Sequence, residues 1–246
     1  MIDYSEYTLH GKDYVLILGL TLLISTGIAY LFYRSMLAVF FLLFIYFWIK
    51  KKYQGYQTKK RKEQLNLQFK DAIQSIASAL EAGYSMENSI RFAIEDVSTI
   101  YEKESYIIRE LIRINSLVSN NVPIEEAIEQ FAQRSYNEDI ICFSEVYHSA
   151  KRSGGDLVSI MSQTSKTISQ KCEVMREIKT LITAKQMEVT IMKVMPFGIL
   201  IYLTIFSNQF LGPLYRNFFG ICFMTIILMI YLVITWIADK IMEIEI

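Results

Sequence analysis

Apolar positions concentrate at the two ends of the chain, and an amphipathic middle lies between them. Residues 14–33, 36–49, 194–211 and 218–238 form four apolar blocks without an acidic or basic residue inside any of them. A bilayer crossing needs about 20 apolar residues, which the first, third and fourth blocks approach or reach. The second is short. It crosses if Arg34 and the lysines after it reach back to the interface; the alternative is a re-entrant or interfacial segment. Gly19, Ser25, Thr26 and Gly27 are small enough to allow close helix contact in the first block.

In the middle, apolar residues recur every three or four positions, the period of a helix face. Residues 63–82 place Phe69, Ile73, Ile76, Ala77 and Leu80 on one face, and Gly83 stops that helix. Ser85 caps a second helix over 86–100, with Met86, Ile90, Ala93, Ile94 and Val97 inward. A third, over 104–118, carries Ile108, Leu111, Ile112 and Leu117 and stops at Asn120-Asn121. Pro123 opens a fourth over 124–134, burying Ile124, Ala127, Ile128 and Phe131. Asn137 opens a fifth, where Glu138 and Asp139 complement the helix dipole and Ile141, Val146 and Ala150 face inward. Gly154 and Gly155 end it, and Asp156 caps a sixth. The stretch from Gly83 to Ile90 aligns position by position with that from Asn121 to Ile128: a left-handed-tolerant residue, a cap or proline, then an apolar first turn.

The sixth helix organises the chain. No Gly or Pro occurs between Leu157 and Met195, and Leu157, Met161, Thr164, Ile168, Cys172, Met175, Ile178 and Ile182 share one face. At ~1.5 Å per residue this helix spans roughly 60 Å. Its far end turns fully apolar, so it reads as a lever joining a water-facing helical domain to a membrane anchor. Pro196 is expected to kink it where it meets lipid.

Charge then orients this plan. Formal net charge is zero over 246 residues, which suggests no nucleic-acid partner. Lys50, Lys51, Lys52, Lys59, Lys60, Arg61 and Lys62 cluster after the second block, whereas each turn between paired blocks holds one arginine. Positive residues stay inside, so the middle domain and both termini are expected in the cytoplasm, with anionic membrane lipid as a compatible contact. The expected divisions are a cytoplasmic N-terminus at 1–13, a transmembrane hairpin at 14–49, a cytoplasmic helical domain at 50–193, a second hairpin at 194–238 and a cytoplasmic tail at 239–246. The fold class is all-α: an integral membrane protein with two N-terminal and two C-terminal transmembrane helices flanking a six-helix cytoplasmic bundle. The N-terminal region lacks the basic start and cleavage site of a signal peptide.

The search for chemistry returns little. The chain has no GxxxxGK[ST] phosphate loop, no GxGxxG and no HExxH, so neither catalytic residues nor a cofactor nor a metal site is expected. Its three cysteines read as buried thiols. His148, near Glu145 and Cys142, has too few companions for a metal site. Gly154-Gly155-Asp156 reads as a capped turn rather than an anion cradle. Glu125, Glu126, Glu129, Glu138 and Asp139 are either solvated faces or a docking surface for a basic partner.

The order of these motifs resembles a known family. The stretch from Phe69 through Gly83 to Met86, Ala127-Ile128 with Phe131-Ala132, Gly154 to Leu157, and Lys185 to Val189 ahead of Met195-Pro196 are similar to the inner-membrane platform proteins of the type II secretion and type IV pilus superfamily. With one helical domain instead of two, the chain looks most like the tight-adherence (Tad) pilus platforms of the TadB and TadC kind. The resemblance implies a cytoplasmic secretion ATPase, a pilin or pseudopilin and a second platform protein of the same family as partners, an oligomeric assembly, and no catalytic residues. It implies that Gly83, Gly154, Gly155, Asp156 and Pro196 are structural positions. An alternative is the membrane subunit of an ATPase-driven transporter, which would need a polar path through the spans. A membrane sensor would need an outer ligand domain, and an intramembrane enzyme a nucleophile, base or metal set.

Overall fold

The structure, a computed structural model, describes residues 4, 7, 9–33, 42–153, 156–206, 215 and 218–244. Gly154, Gly155, Arg34, positions 36–41 of the second apolar block, Gly212-Pro213 and Arg216-Asn217 lie outside the described residues. The described elements are helical, with no strand among them. In order they are α1 (Gly11–Ile28) with a π-helical turn (Ala29–Tyr33), α2 (Leu42–Glu81), α3 (Met86–Ile100), α4 (Tyr106–Ser119), α5 (Ile124–Ser135), α6 (Glu138–Ser153), α7 (Leu157–Phe206) and α8 (Phe218–Ile244). They form two compact units. One comprises Met1–Thr8 with Gln54–Met175, the other Leu9–Tyr53 with Arg176–Ile246.

The first unit packs six helical segments around one apolar core. Phe69 of α2 is central, with its ring 5.5 Å from Phe143 and 6.3 Å from Phe131. All five expected inward residues of α2 are buried, as are Met86, Ile90, Ala93 and Val97 of α3 and the four expected on α5. Two helices are rotated from the expected face. In α4, Ile107, Ile108, Leu111 and Ile114 are buried, while Ile112 is 49 % exposed. In α6 the inner face is Ile140, Phe143, Tyr147 and Ala150, and Ile141 points outward. In each helix the exposed isoleucine adjoins a buried apolar residue, Ile112 beside Leu111 and Ile141 beside Ile140; neighbours lie only about 100° apart on a helix, so the period alone does not choose between them. Of the cysteines, Cys172 is buried but Cys142 and Cys222 are exposed, which corrects the reading of three buried thiols.

Helix stops follow local chemistry. Gly83 adopts φ +89°, and the N–H groups of Gly83 and Tyr84 donate to the carbonyls of Leu80 and Ala79. Asn121, at φ +64°, repeats this turn: Asn121 and Val122 donate to Val118 and Leu117. These are two copies of the same left-handed stop. The aligned phrases thus share a turn as well as a spelling. Asp156 accepts from the N–H groups of Val158 and Ser159 at 3.1 and 3.2 Å, capping α7.

Two helices run longer than their sequence divisions. α2 begins at Leu42, so the basic cluster lies inside it. Lys, Arg and Gln are good helix formers, and the lone Gly55 costs only about 1 kcal/mol. α7 continues from Leu157 to Phe206 through Lys179–Lys185 and past Pro196 without interruption.

In the second unit, Ile17, Thr21 and Ser25 form the buried stripe of α1. Gly19 and Gly27 have open space where a Cβ would stand, so the close approach expected there is displaced to this stripe. Leu31, Phe32 and Met224 form a small core with Phe197, Leu200 and Leu228 around it. Leu31 sits in the π-helical turn, and its carbonyl accepts from the Tyr215 hydroxyl at 2.6 Å. Outward-facing side chains include Leu23, Ile199, Tyr202, Phe219, Met229 and Ile234. Such a surface is untenable in water and suits lipid. Three described segments are long and apolar enough to cross a membrane: Gly11–Phe32, a stretch of α7, and Phe219–Ile241.

Candidate functional site

The second unit carries a collar of polar contacts where its apolar segments begin or end. Lys193 precedes the apolar stretch of α7, Asp239 follows that of α8, and Lys52 follows the apolar start of α2. Asp239 joins them. Its Oδ2 lies 2.8 Å from Lys52 Nζ, and its Oδ1 pairs with Lys193 Nζ. Tyr231 of α8 donates to the Lys193 carbonyl at 2.9 Å. The chain's two tryptophans mark the same boundary, with Lys52 over the Trp48 ring at 5.0 Å and Lys240 over Trp236 at 5.2 Å. Amphipathic indoles and snorkelling lysines favour the headgroup level. At the start of α1, Asp13 accepts from Tyr53 at 3.0 Å, and Lys50 stands over the Tyr14 ring.

Pro196 lies one turn into this boundary. It has no N–H, so the Met192 carbonyl loses its intrahelical donor, and the neighbouring carbonyl is the one that Tyr231 reaches. Phe197 packs edge-on against Tyr231 at 5.3 Å and against Phe32 at 6.3 Å.

In the first unit, Tyr4, ahead of α1, joins the core. Tyr4 is fully buried. Its N–H donates to the Arg134 carbonyl, and its hydroxyl donates to Glu110 Oε1 at 3.3 Å. Burial, and then the Glu110 charge, push the phenol pKa up, so it remains a donor. Glu110, 4 % exposed, pairs with Arg134 at 2.6 Å. Tyr7 donates its N–H to Thr58 Oγ1, and the Arg61 guanidinium stacks over its ring.

The five carboxylates of the candidate docking surface occupy different settings. Asp139 is 9 % exposed, accepting from Lys171 at 2.6 Å and from Asn66 at 3.0 Å. That hydrogen bond raises the Lys171 pKa. Glu125 pairs with Lys151 at 2.5 Å, and this contact holds its carboxyl below the usual range. Glu126, Glu129 and Glu138 face solvent, the first two also accepting from Gln130 and Gln133 one turn on. Among the described residues, no group of three or more His, Cys, Asp or Glu side chains gathers at metal-ligand spacing.

Asp239, Lys193, Tyr231 and Tyr4 belong to no sequence motif. Lys193 and Asp239 each flank an apolar block at the same expected membrane face, and that opposite charge at one level was the available signal. Tyr4 offered none.

An all-α membrane protein with a single helical domain between apolar ends defines the class. The family model for type II secretion system (T2SS), protein F, matches residues 72–205, more than half of the chain, and the chain belongs to that family. It is accordingly an inner-membrane platform protein of the type II secretion and type IV pilus kind. No curated protein and no solved structure matches the chain.

Proposed function

We propose that this chain is the platform of a Tad-like pilus or a type II secretion-like machine, coupling a cytoplasmic secretion ATPase to the extraction and assembly of a pilin or pseudopilin. The observation that carries this is the extent of the family match. It ends at residue 205, one short of the end of α7, so the soluble helices and the apolar stretch belong to one family domain. A helix unbroken through both suits a part that passes on motion made elsewhere. The protein needs no catalytic residue for this; the ATPase supplies the work. A second platform protein of the same family completes an oligomeric assembly, as one domain replaces two.

Connectivity supports the orientation. Tyr4 is in the core of the helical unit and α1 begins at Gly11. The seven steps from Tyr4 to Gly11 reach at most about 25 Å, less than the ~30 Å hydrocarbon core, which supports an N-terminus on the same side as that unit. The basic flank of α2 supports a cytoplasmic setting for that side. Trp48 supports placing the apolar start of α2 in lipid, as the second of four spans. Glu126, Glu129 and Glu138 are the docking carboxylates open to a basic partner, with Glu125 and Asp139 supporting them through their lysine pairs. Gly83, Gly154, Gly155, Asp156 and Pro196 keep structural roles.

The test uses the full chain in detergent with the secretion ATPase of the same cell. Binding is expected, and the triple variant Glu126→Lys, Glu129→Lys, Glu138→Lys is expected to weaken it at least about tenfold, as like charges meet a basic partner. No binding by the unaltered chain, together with normal fibre or pseudopilin output after deletion of its gene, overturns the reading.

A further inference from the structure

We propose that Asp239 is a positioning residue that makes α2, α7 and α8 move as one body at the membrane edge, so that displacement of α7 reaches both hairpins. This rests on the platform reading above. Both oxygens of one carboxylate are used, each by a lysine from a different helix, Lys52 on α2 and Lys193 on α7. Removing the carboxylate leaves two ammonium groups that were drawn toward one point and now repel.

The contact also falls beside a point where α7 is weakened. Pro196 deletes a backbone hydrogen bond there. α8 braces that joint through three groups: Asp239 on the Lys193 side chain, Tyr231 on its carbonyl, and the Tyr231 ring on Phe197. Phe197 in turn meets Phe32 of the π-helical turn after α1. A load arriving along α7 thus meets bracing at its joint, not a free hinge.

Stability alone does not account for this arrangement. The side chains of Lys52, Lys193 and Asp239 are 58 %, 26 % and 42 % exposed, and ion pairs this open contribute little to folding. The apolar surfaces of the helices drive insertion without them. Replacing Asp239 should therefore spare insertion and disturb relative position, which separates a positioning role from a structural one.

The experiment introduces nitroxide pairs into the full chain in lipid nanodiscs, at Met187→Cys with Ile241→Cys and at Lys51→Cys with Ile241→Cys, with Cys142→Ser and Cys222→Ser as background. Asp239→Asn should broaden both distance distributions, and in cells it should lower fibre or pseudopilin output by about tenfold at an unchanged membrane level, as loss of a charged contact within a network does. The charge exchange Lys193→Asp with Asp239→Lys retains two lysines and one aspartate. It should narrow the distributions again and restore most of the output. Unchanged distances in Asp239→Asn overturn the clamp. Broadened distances with full output overturn its role in transmission. If deleting the whole gene leaves output intact, the platform reading fails instead, and the distances still decide the clamp.

Discussion

Replacing Tyr4 tests whether its side chain is part of the helical unit's core. The ring is fully buried and edge-on to Tyr106 at 5.8 Å, and its hydroxyl donates to Glu110 of the Glu110–Arg134 pair. Truncating a buried aromatic to alanine costs about 3–5 kcal/mol. Tyr4→Phe keeps the ring and loses one 3.3 Å hydrogen bond to a carboxylate, worth about 1 kcal/mol. The two variants thus separate packing from polar contact. Two units need not unfold together, so a single melting temperature is a poor readout. Amide hydrogen exchange of the full chain in detergent, followed on α4 and α5, reads the affected helices directly. Tyr4→Ala should speed exchange there by about 100- to 4000-fold, at ten per ~1.4 kcal/mol, and Tyr4→Phe by less than about tenfold. Exchange in Tyr4→Ala within twofold of the unaltered chain would refute the reasoning, because the ring would then not belong to the core.

Two further predictions concern the helical unit. Gly83→Ala meets no neighbouring atom but forces a Cβ onto φ +89°, so it should destabilise the unit by about 1–2 kcal/mol, with Gly83→Asn milder; denaturant unfolding followed at α2 and α3 checks this. Glu125 has a folded pKa held below its ordinary 4.5, first by the Lys151 hydrogen bond. Its stabilisation is therefore present above pH 4.5 and lost as pH falls through the lowered folded value. Glu125→Gln should remove that part of the acid limb of a stability–pH curve, by about 0.2–1 kcal/mol for a pair this open to water.

Local sequence chemistry determined most of the architecture. The helix stops at Gly83 and Asn121 need only a residue that tolerates a left-handed φ, and the caps at Ser85 and Asp156 only an acceptor beside free N–H groups. The inward face of α5 followed from spacing because a single set of apolar positions was on offer. The start of α2 was missed where a strong helix former, the lysine run, looked like a boundary of another kind.

What only the tertiary structure decided are the pairings between residues far apart in the chain. Leu111 and Ile140 are buried where Ile112 and Ile141 are not, because the neighbouring helix, not the period, selects between apolar residues one step apart. Tyr4 reaches Glu110, and Asp239 reaches Lys52, across 106 and 187 positions. Helix faces and caps are set by interactions within a few residues, which a sequence displays. A buried tyrosine ahead of a membrane helix, or one carboxylate shared by two lysines, exists only once packing has brought distant segments within a few ångströms.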